Sequence, residues 1–95
     1  MNFLLEYGFN EEEIKTFSLD VPPLLHEQIL NSYKLVAQNI TFLKGLGIAD
    51  VKSVFVKFYD MFLMDNSNFM TIFNNYERED LVEKINANPE IVEFL

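Results

Sequence analysis

Residues 13–25 read EIKTFSLDVPPLL, in which an acidic and an aliphatic residue are followed, eight positions after the aliphatic one, by a proline corner. Residues 79–92, EDLVEKINANPEIV, repeat this arrangement around a second proline. Residues 50–62, DVKSVFVKFYDMF, keep the same offset without a proline. Because a residue that precedes proline is driven out of the α region, each proline corner predicts the end of one helix and the start of another.

The three copies are also spaced like helical repeat units. Their aliphatic anchors lie 37 and 30 residues apart, at Ile14, Val51 and Leu81. The chain has 95 residues, of which 49% are hydrophobic and ten are Phe, enough for one core but not two. We therefore predict an all-α fold in which residues 1–95 form a single small domain. About five to seven helices would stack as degenerate helix-turn-helix repeat units.

Helix starts and stops can be placed from capping residues. Asn10 precedes the acidic run 11–13, an arrangement typical of a capping box at a helix N-terminus. Proline is favourable in the first turn of a helix, so we predict that Pro22 and Pro89 each lie where a new helix starts.

The apolar positions between Leu25 and Leu43 recur at three- and four-residue steps. This periodicity predicts a helix over about residues 23–44, with a possible break near Asn39. A further helix is predicted over about residues 49–64, after the turn 45–47.

Residues 4–25 combine the pattern Leu-x-x-x-Gly with a polar cap, acids, an isoleucine and then Pro-x-Leu. Residues 42–51 and 79–91 repeat parts of it. This pattern resembles the helical repeat of mitochondrial transcription termination factors. The resemblance implies nucleic-acid binding along a basic concave face, whereas this chain is acidic and lacks the second proline corner.

Net charge limits the classes of partner. Seven basic and 15 acidic residues give a net charge of −8, which repels phosphate backbones and anionic membrane surfaces. Charged residues interrupt the most apolar stretch, 42–64, so no membrane span is predicted. The first residues have neither the basic region nor the apolar run of a signal peptide, and cysteine is absent. We expect a cytoplasmic protein.

The turn Gly45-Leu46-Gly47 resembles a helix-hairpin-helix motif, whose backbone N–H groups bind phosphate. Lys44 and Lys52 flank it, but Asp50 and the anionic domain oppose that role. An interhelical turn is the favoured interpretation.

No catalytic, cofactor-binding or metal site is predicted. Residues 65–76 begin like a calcium loop but have Met70 where glycine is needed and Tyr76 where a bidentate glutamate is needed. The single histidine, His26, has no partner at the spacing that catalysis or metal binding requires.

The helix predicted after Asp50 has a second apolar stripe opposite its core face, formed by Val56, Tyr59 and Leu63. A helix that is apolar all round is usually buried on both sides, here between repeat units. Alternatively, the stripe is exposed and binds a partner or a second copy of the chain. These three residues are the candidate partner-binding site.

The preferred function is a non-enzymatic protein-interaction module: a small acidic adaptor, inhibitor or regulator with a protein partner or self-association. The alternative is a nucleic-acid-associated protein of the termination-factor-like or helix-hairpin-helix type. The positions of four lysines discriminate between these two functions: Lys34, Lys44, Lys52 and Lys57. If they cluster on one face, nucleic-acid association is favoured. If they are dispersed among acidic residues, the protein-interaction module is favoured. An acidic surface that mimics nucleic acid is a third possibility, resting on charge alone.

Overall fold

Helices account for 80% of the residues in the computed structural model, which describes residues 1–95 and has no β-strand. The α-helices are α1 (Glu11–Asp20), α2 (Pro23–Asn31), α3 (Tyr33–Leu46), α4 (Val51–Lys57), α5 (Asn66–Asn74) and α6 (Arg78–Ala87). Three 3₁₀ helices complete the fold: Asn2–Tyr7, Tyr59–Leu63 and Pro89–Phe94. The all-α prediction is confirmed.

The proline corners lie where the sequence places them. Pro22 is the N-cap of α2, and Pro89 is the first residue of the C-terminal 3₁₀ helix. At the same offset in the copy without proline, α4 gives way to the 3₁₀ helix that starts at Tyr59. Each copy is therefore a helix, a corner and a second helix, although the second helix is α in the first copy and 3₁₀ in the other two.

The predicted capping box at the start of α1 is confirmed. The Asn10 side chain accepts a hydrogen bond from the Glu13 backbone N–H (2.8 Å), and the Glu13 carboxylate accepts one from the Asn10 N–H (2.9 Å). Two N–H groups that a helix N-terminus leaves without intrahelical partners are thus satisfied by side chains.

Two predicted helices are interrupted at other positions than expected. The helix over 23–44 breaks at Ser32 (φ −114°, ψ 27°), and the prediction of a break near Asn39 is wrong. The helix over 49–64 is also wrong as one element, because Phe58 (φ −128°, ψ 37°) separates α4 from the 3₁₀ helix. Neither position has a glycine or proline, so no local signal marks these breaks.

Asn39 explains part of this difference. It lies inside α3, is fully buried, and donates through Nδ2 to the carbonyls of Phe62 (2.9 Å) and Met64 (3.0 Å). Its Oδ1 accepts from Asn66 Nδ2 at 2.9 Å. A buried amide is tolerated when its hydrogen bonds are made, and these bonds fix the chain between α4 and α5 against α3.

A single core of 18 buried hydrophobic residues holds the elements together. Its centre is a chain of tilted or edge-on rings, from Phe55 through Phe62 and Phe69 to Phe73, with successive centroids 5.0–5.1 Å apart. The radius of gyration is 12.9 Å, close to the value of about 12 Å that is typical of one domain of this length.

Candidate protein-interaction surface

The three candidate residues do not share one helical face, because the break at Phe58 puts Val56 on α4 and the other two on the following 3₁₀ helix. Val56 is 44% exposed. Tyr59 is half-buried, with its ring edge-on to Phe17 at 5.5 Å between centroids. Leu63 is half-buried against the core. Of the three, only Val56 offers a freely accessible apolar surface.

Val56 lines a groove of about 580 Å³ between α1 and α4, which we call the acidic groove. Phe9 and Phe17 contribute buried apolar surface to it. Four carboxylates and two lysines also line it: Glu12, Glu13, Asp20, Asp50, Lys52 and Lys57. Negative charge is therefore in excess around Val56.

Both lysines of the acidic groove are already paired. Lys52 Nζ lies 3.2 Å from Glu13 Oε2 and donates to the Gly8 carbonyl at 3.2 Å. Lys57 Nζ lies 3.6 Å from Glu90 Oε1. Glu12, Asp20 and Asp50 form no ion pair, and of these Asp50 accepts hydrogen bonds from Ser53. A ligand bound in this groove would therefore contact unpaired carboxylates.

Hydrogen bonds hold two carboxylates of the groove in their ionised form. The backbone N–H of Asn10, followed by the Lys52 ammonium, lowers the pKa of Glu13 below its usual value. The hydroxyl and then the backbone N–H of Ser53 lower the pKa of Asp50. Because Asp50 also caps α4, its carboxylate is committed to the fold.

A second surface, which we call the aromatic groove, runs along α3. Its first part, about 590 Å³, lies between the N-terminal 3₁₀ helix, α3 and α5, and its apolar lining is Phe3, Tyr7, Tyr33, Ala37, Phe42 and Met70. A second part of about 380 Å³ adjoins it through Thr41 and Phe42 and continues to Tyr76 and Arg78. The only acidic residue that lines either part is Glu6.

The distribution of acidic residues along the sequence is a signal for the aromatic groove. No Asp or Glu occurs at positions 28–49 or at positions 66–76. These two runs contain the whole of α3 and α5. The acids of the chain are thus confined to the other elements, and the aromatic groove lies where they are missing.

The lysines whose clustering would favour nucleic-acid binding are dispersed. Lys34 lines the aromatic groove, Lys52 and Lys57 line the acidic groove, and Lys44 lines neither. The two that share a groove are each bound to a carboxylate.

The glycine turn after α3 has its backbone N–H groups occupied. Gly47 (φ 111°) ends α3, and its N–H donates to the Lys44 carbonyl (3.2 Å), as that of Ile48 does to Leu43 (3.3 Å). The Ala49 N–H donates to Asn86 Oδ1 at 2.9 Å. A phosphate at this turn would have to displace these bonds.

His26 is half-buried on α2, and no group of three or more His, Cys, Asp or Glu side chains is placed to hold a metal ion. None of the helices combines the length and apolar character that crossing a membrane would demand.

Searches with protein-family models, among curated proteins and among solved structures find no match for this chain. The resemblance to termination-factor repeats therefore stays a hypothesis.

Proposed function

We propose that this chain is a non-enzymatic protein-interaction module, a small acidic adaptor or regulator, which binds a basic segment of a partner protein in the acidic groove. The observation that carries the proposal is the position of Val56. Its side chain is 44% exposed in a concave surface whose two lysines are in ion pairs. The carboxylates without a basic partner there are Glu12, Asp20 and Asp50.

Charge and apolar contact have separate tasks in this proposal. The net charge of −8 accelerates the encounter with a basic partner, and the rim carboxylates set its orientation. Val56 then supplies an apolar contact that excludes water around the ion pairs. Tyr59 supports this surface through its edge-on contact with Phe17, whereas Leu63 is packed against the core.

The alternative of a nucleic-acid-associated protein has less support. The four lysines are dispersed or paired, and the N–H groups of the glycine turn are occupied by the protein itself. Without clustered cations, counterion release contributes little to affinity. We expect no measurable binding of duplex DNA at physiological salt.

Affinity capture from the source organism, with and without nuclease, tests the proposal when three baits are compared. The baits are the wild type, Val56→Glu, and the matched control Leu24→Glu, whose site is 67% exposed on α2 outside the groove. Both variants add one negative charge. The proposal requires a nuclease-resistant partner that Val56→Glu loses and Leu24→Glu retains. A partner that all three baits capture equally, or that nuclease releases, contradicts it.

A further inference from the structure

The aromatic groove follows one face of α3 over three turns. The groove-lining positions of α3 are 33 and 34, 37 and 38, 41 and 42, and 45 and 46. Steps of about four residues keep these positions on one side of the helix. Lys34 and Gly45 are eleven residues apart, which corresponds to about 17 Å along the helix axis.

The groove is a trough with apolar walls. The α3 residues that line it include the small Ala37, Thr41 and Gly45, and an added Cβ at Gly45 would meet no atom within 4 Å. Tyr33 and Tyr76, at its two ends, are 45% and 43% exposed. Tyr7 is held in place by its hydroxyl, which bonds Thr41 Oγ1 at 3.1 Å. The trough is therefore concave and preformed, with aromatic surface open to solvent.

The two ends of the trough are cationic. Lys34, near the start of α3, has no carboxylate partner. Arg78, at the other end, donates through Nη2 to the Gly45 carbonyl (3.0 Å) and through Nε to the Leu46 carbonyl (3.3 Å). It has no carboxylate partner either, and a guanidinium has five N–H donors, so further donors remain for a ligand. Only four of the seven cations are free of ion pairs, and two of them flank this groove.

We propose that the aromatic groove binds an amphipathic helix of a partner protein. The occupant has apolar side chains facing the trough and an acidic residue at each end, eleven positions apart, opposite Lys34 and Arg78. A helix laid in a groove is a common recognition mode, with anchors at three- and four-residue steps. This surface is separate from the acidic groove, so the proposal does not depend on the function proposed above.

Shape and charge favour this occupant over two others. A second copy of this chain would have to offer a helix with a free apolar face, but each of α1 to α6 buries residues of its apolar face in the core. A membrane surface requires apolar side chains that protrude, whereas these line a concavity.

A pair of synthetic helical peptides tests the proposal. Both are about 16 residues long, stapled on the face away from the protein, with leucines on the binding face. One has glutamates eleven positions apart, and the other has lysines there. Fluorescence anisotropy of the dye-labelled peptides at physiological salt measures affinity, and ¹⁵N chemical-shift changes locate the site. We expect the glutamate peptide to bind at least about tenfold more tightly, with shifts confined to the groove.

Variants of the protein test whether peptide binding depends on the aromatic groove. Lys34→Glu should remove the preference between the peptides, because each peptide then meets one attractive and one repulsive end. Lys15→Glu, a matched change at an exposed, unpaired lysine of α1, should leave the preference unchanged. Gln38→Trp fills the trough and should abolish binding of both peptides, and Gln28→Trp on α2 is its control. If Gln38→Trp fails to fold, the two lysine variants still decide the test.

Four results would overturn the proposal. The first is that both peptides bind equally or that neither binds, and the second is that the chemical-shift changes lie outside the groove. The third is a concentration-dependent dimer that Gln38→Trp dissociates. The fourth is binding to phosphatidylcholine vesicles that Gln38→Trp abolishes. The third result would assign the groove to a second copy, and the fourth to a lipid surface.

Discussion

The acidic groove and the aromatic groove differ in how their walls are held. The walls of the acidic groove are joined at the surface by the Lys52–Glu13 pair, whose side chains are 40% and 41% exposed, and beneath it by Phe17 packed on Phe55. The floor of the aromatic groove is α3, which is fixed from below by the buried Asn39 amide and by Phe rings. Charge at the first can therefore change with little effect on the fold, whereas the shape of the second is inseparable from the fold.

An adaptor needs two surfaces of different chemistry. Here one groove has an excess of carboxylates, and the other has a single acid between two unpaired cations. Two different partners could thus be discriminated by charge as well as by shape, because like charges brought together at the wrong groove cost binding free energy.

The largest expected effect is at Asn39. Asn39→Ala removes three hydrogen bonds and leaves the Phe62 carbonyl buried without a donor. We expect a loss of about 3 kcal/mol in the free energy of unfolding, measured by urea denaturation. Asn66→Ala, which removes only one of these bonds, should cost about 1 kcal/mol. Equal losses for the two variants would show that Asn39 does not anchor α3.

Asn39 also shows where sequence reasoning stops. Caps and corners are signals within a few residues of chain, so Asn10, Pro22 and Pro89 could be placed from the sequence. The hydrogen bonds of Asn39 reach residues 23 to 27 positions away, and no local pattern reveals them. The sequence alone therefore predicts a possible break near Asn39, whereas the residue is a buried anchor inside α3.

The candidate partner-binding site could also be predicted only as far as local sequence patterns reach. Val56 was identified as an apolar residue outside the core stripe, and it is exposed. The grouping with Tyr59 and Leu63 depended on a continuous helix, which the break at Phe58 removes. Which surfaces become concave depends on how helices pack, and the sequence carries no direct signal of that.

A pair of aspartate substitutions sharpens the comparison at the edge of the acidic groove. Tyr59→Asp places a charge where the wild-type ring contacts Phe17, so it should cost about 2 kcal/mol of unfolding free energy. Val56→Asp changes an exposed side chain and should stay within about 0.5 kcal/mol. Thermal and urea denaturation check both. A Val56→Asp protein as unstable as Tyr59→Asp would mean that Val56 belongs to the core.

Two glycines at the C-terminal end of α3 should respond in opposite directions. Gly47 has φ 111°, which residues with a side chain rarely adopt, so Gly47→Ala should cost about 1 kcal/mol or more, although its Cβ would make only an ordinary contact with Val82. Gly45 lies within α3 with open space around it, so Gly45→Ala should stabilise the protein by about 0.5–1 kcal/mol. Urea midpoints with unchanged slopes measure both effects. Destabilisation by Gly45→Ala would indicate a crowded trough, contrary to the geometry proposed for helix binding.

The smallest expected effect is the contribution of Glu13 to the pH dependence of stability. It tests how the acidic groove is held together. Its pKa in the folded protein is lowered from 4.5, first by the Asn10 N–H and then by Lys52. A carboxyl whose pKa is lowered by folding stabilises the protein above its unfolded pKa, and this contribution disappears as pH falls through the folded pKa. Glu13→Gln keeps a hydrogen-bond acceptor for Asn10 but removes the charge.

We therefore expect Glu13→Gln to be slightly less stable than the wild type at neutral pH, and the difference to shrink as pH falls below 4.5. Asp50 titrates in both proteins, so its contribution cancels when urea midpoints are compared at each pH. High salt should reduce the part due to Lys52, because that pair is exposed, and leave the part due to Asn10. A difference that is the same at every pH would contradict a stabilising Glu13 carboxylate. The packing of Phe17 on Phe55 would then hold the walls of the acidic groove without help from this ion pair.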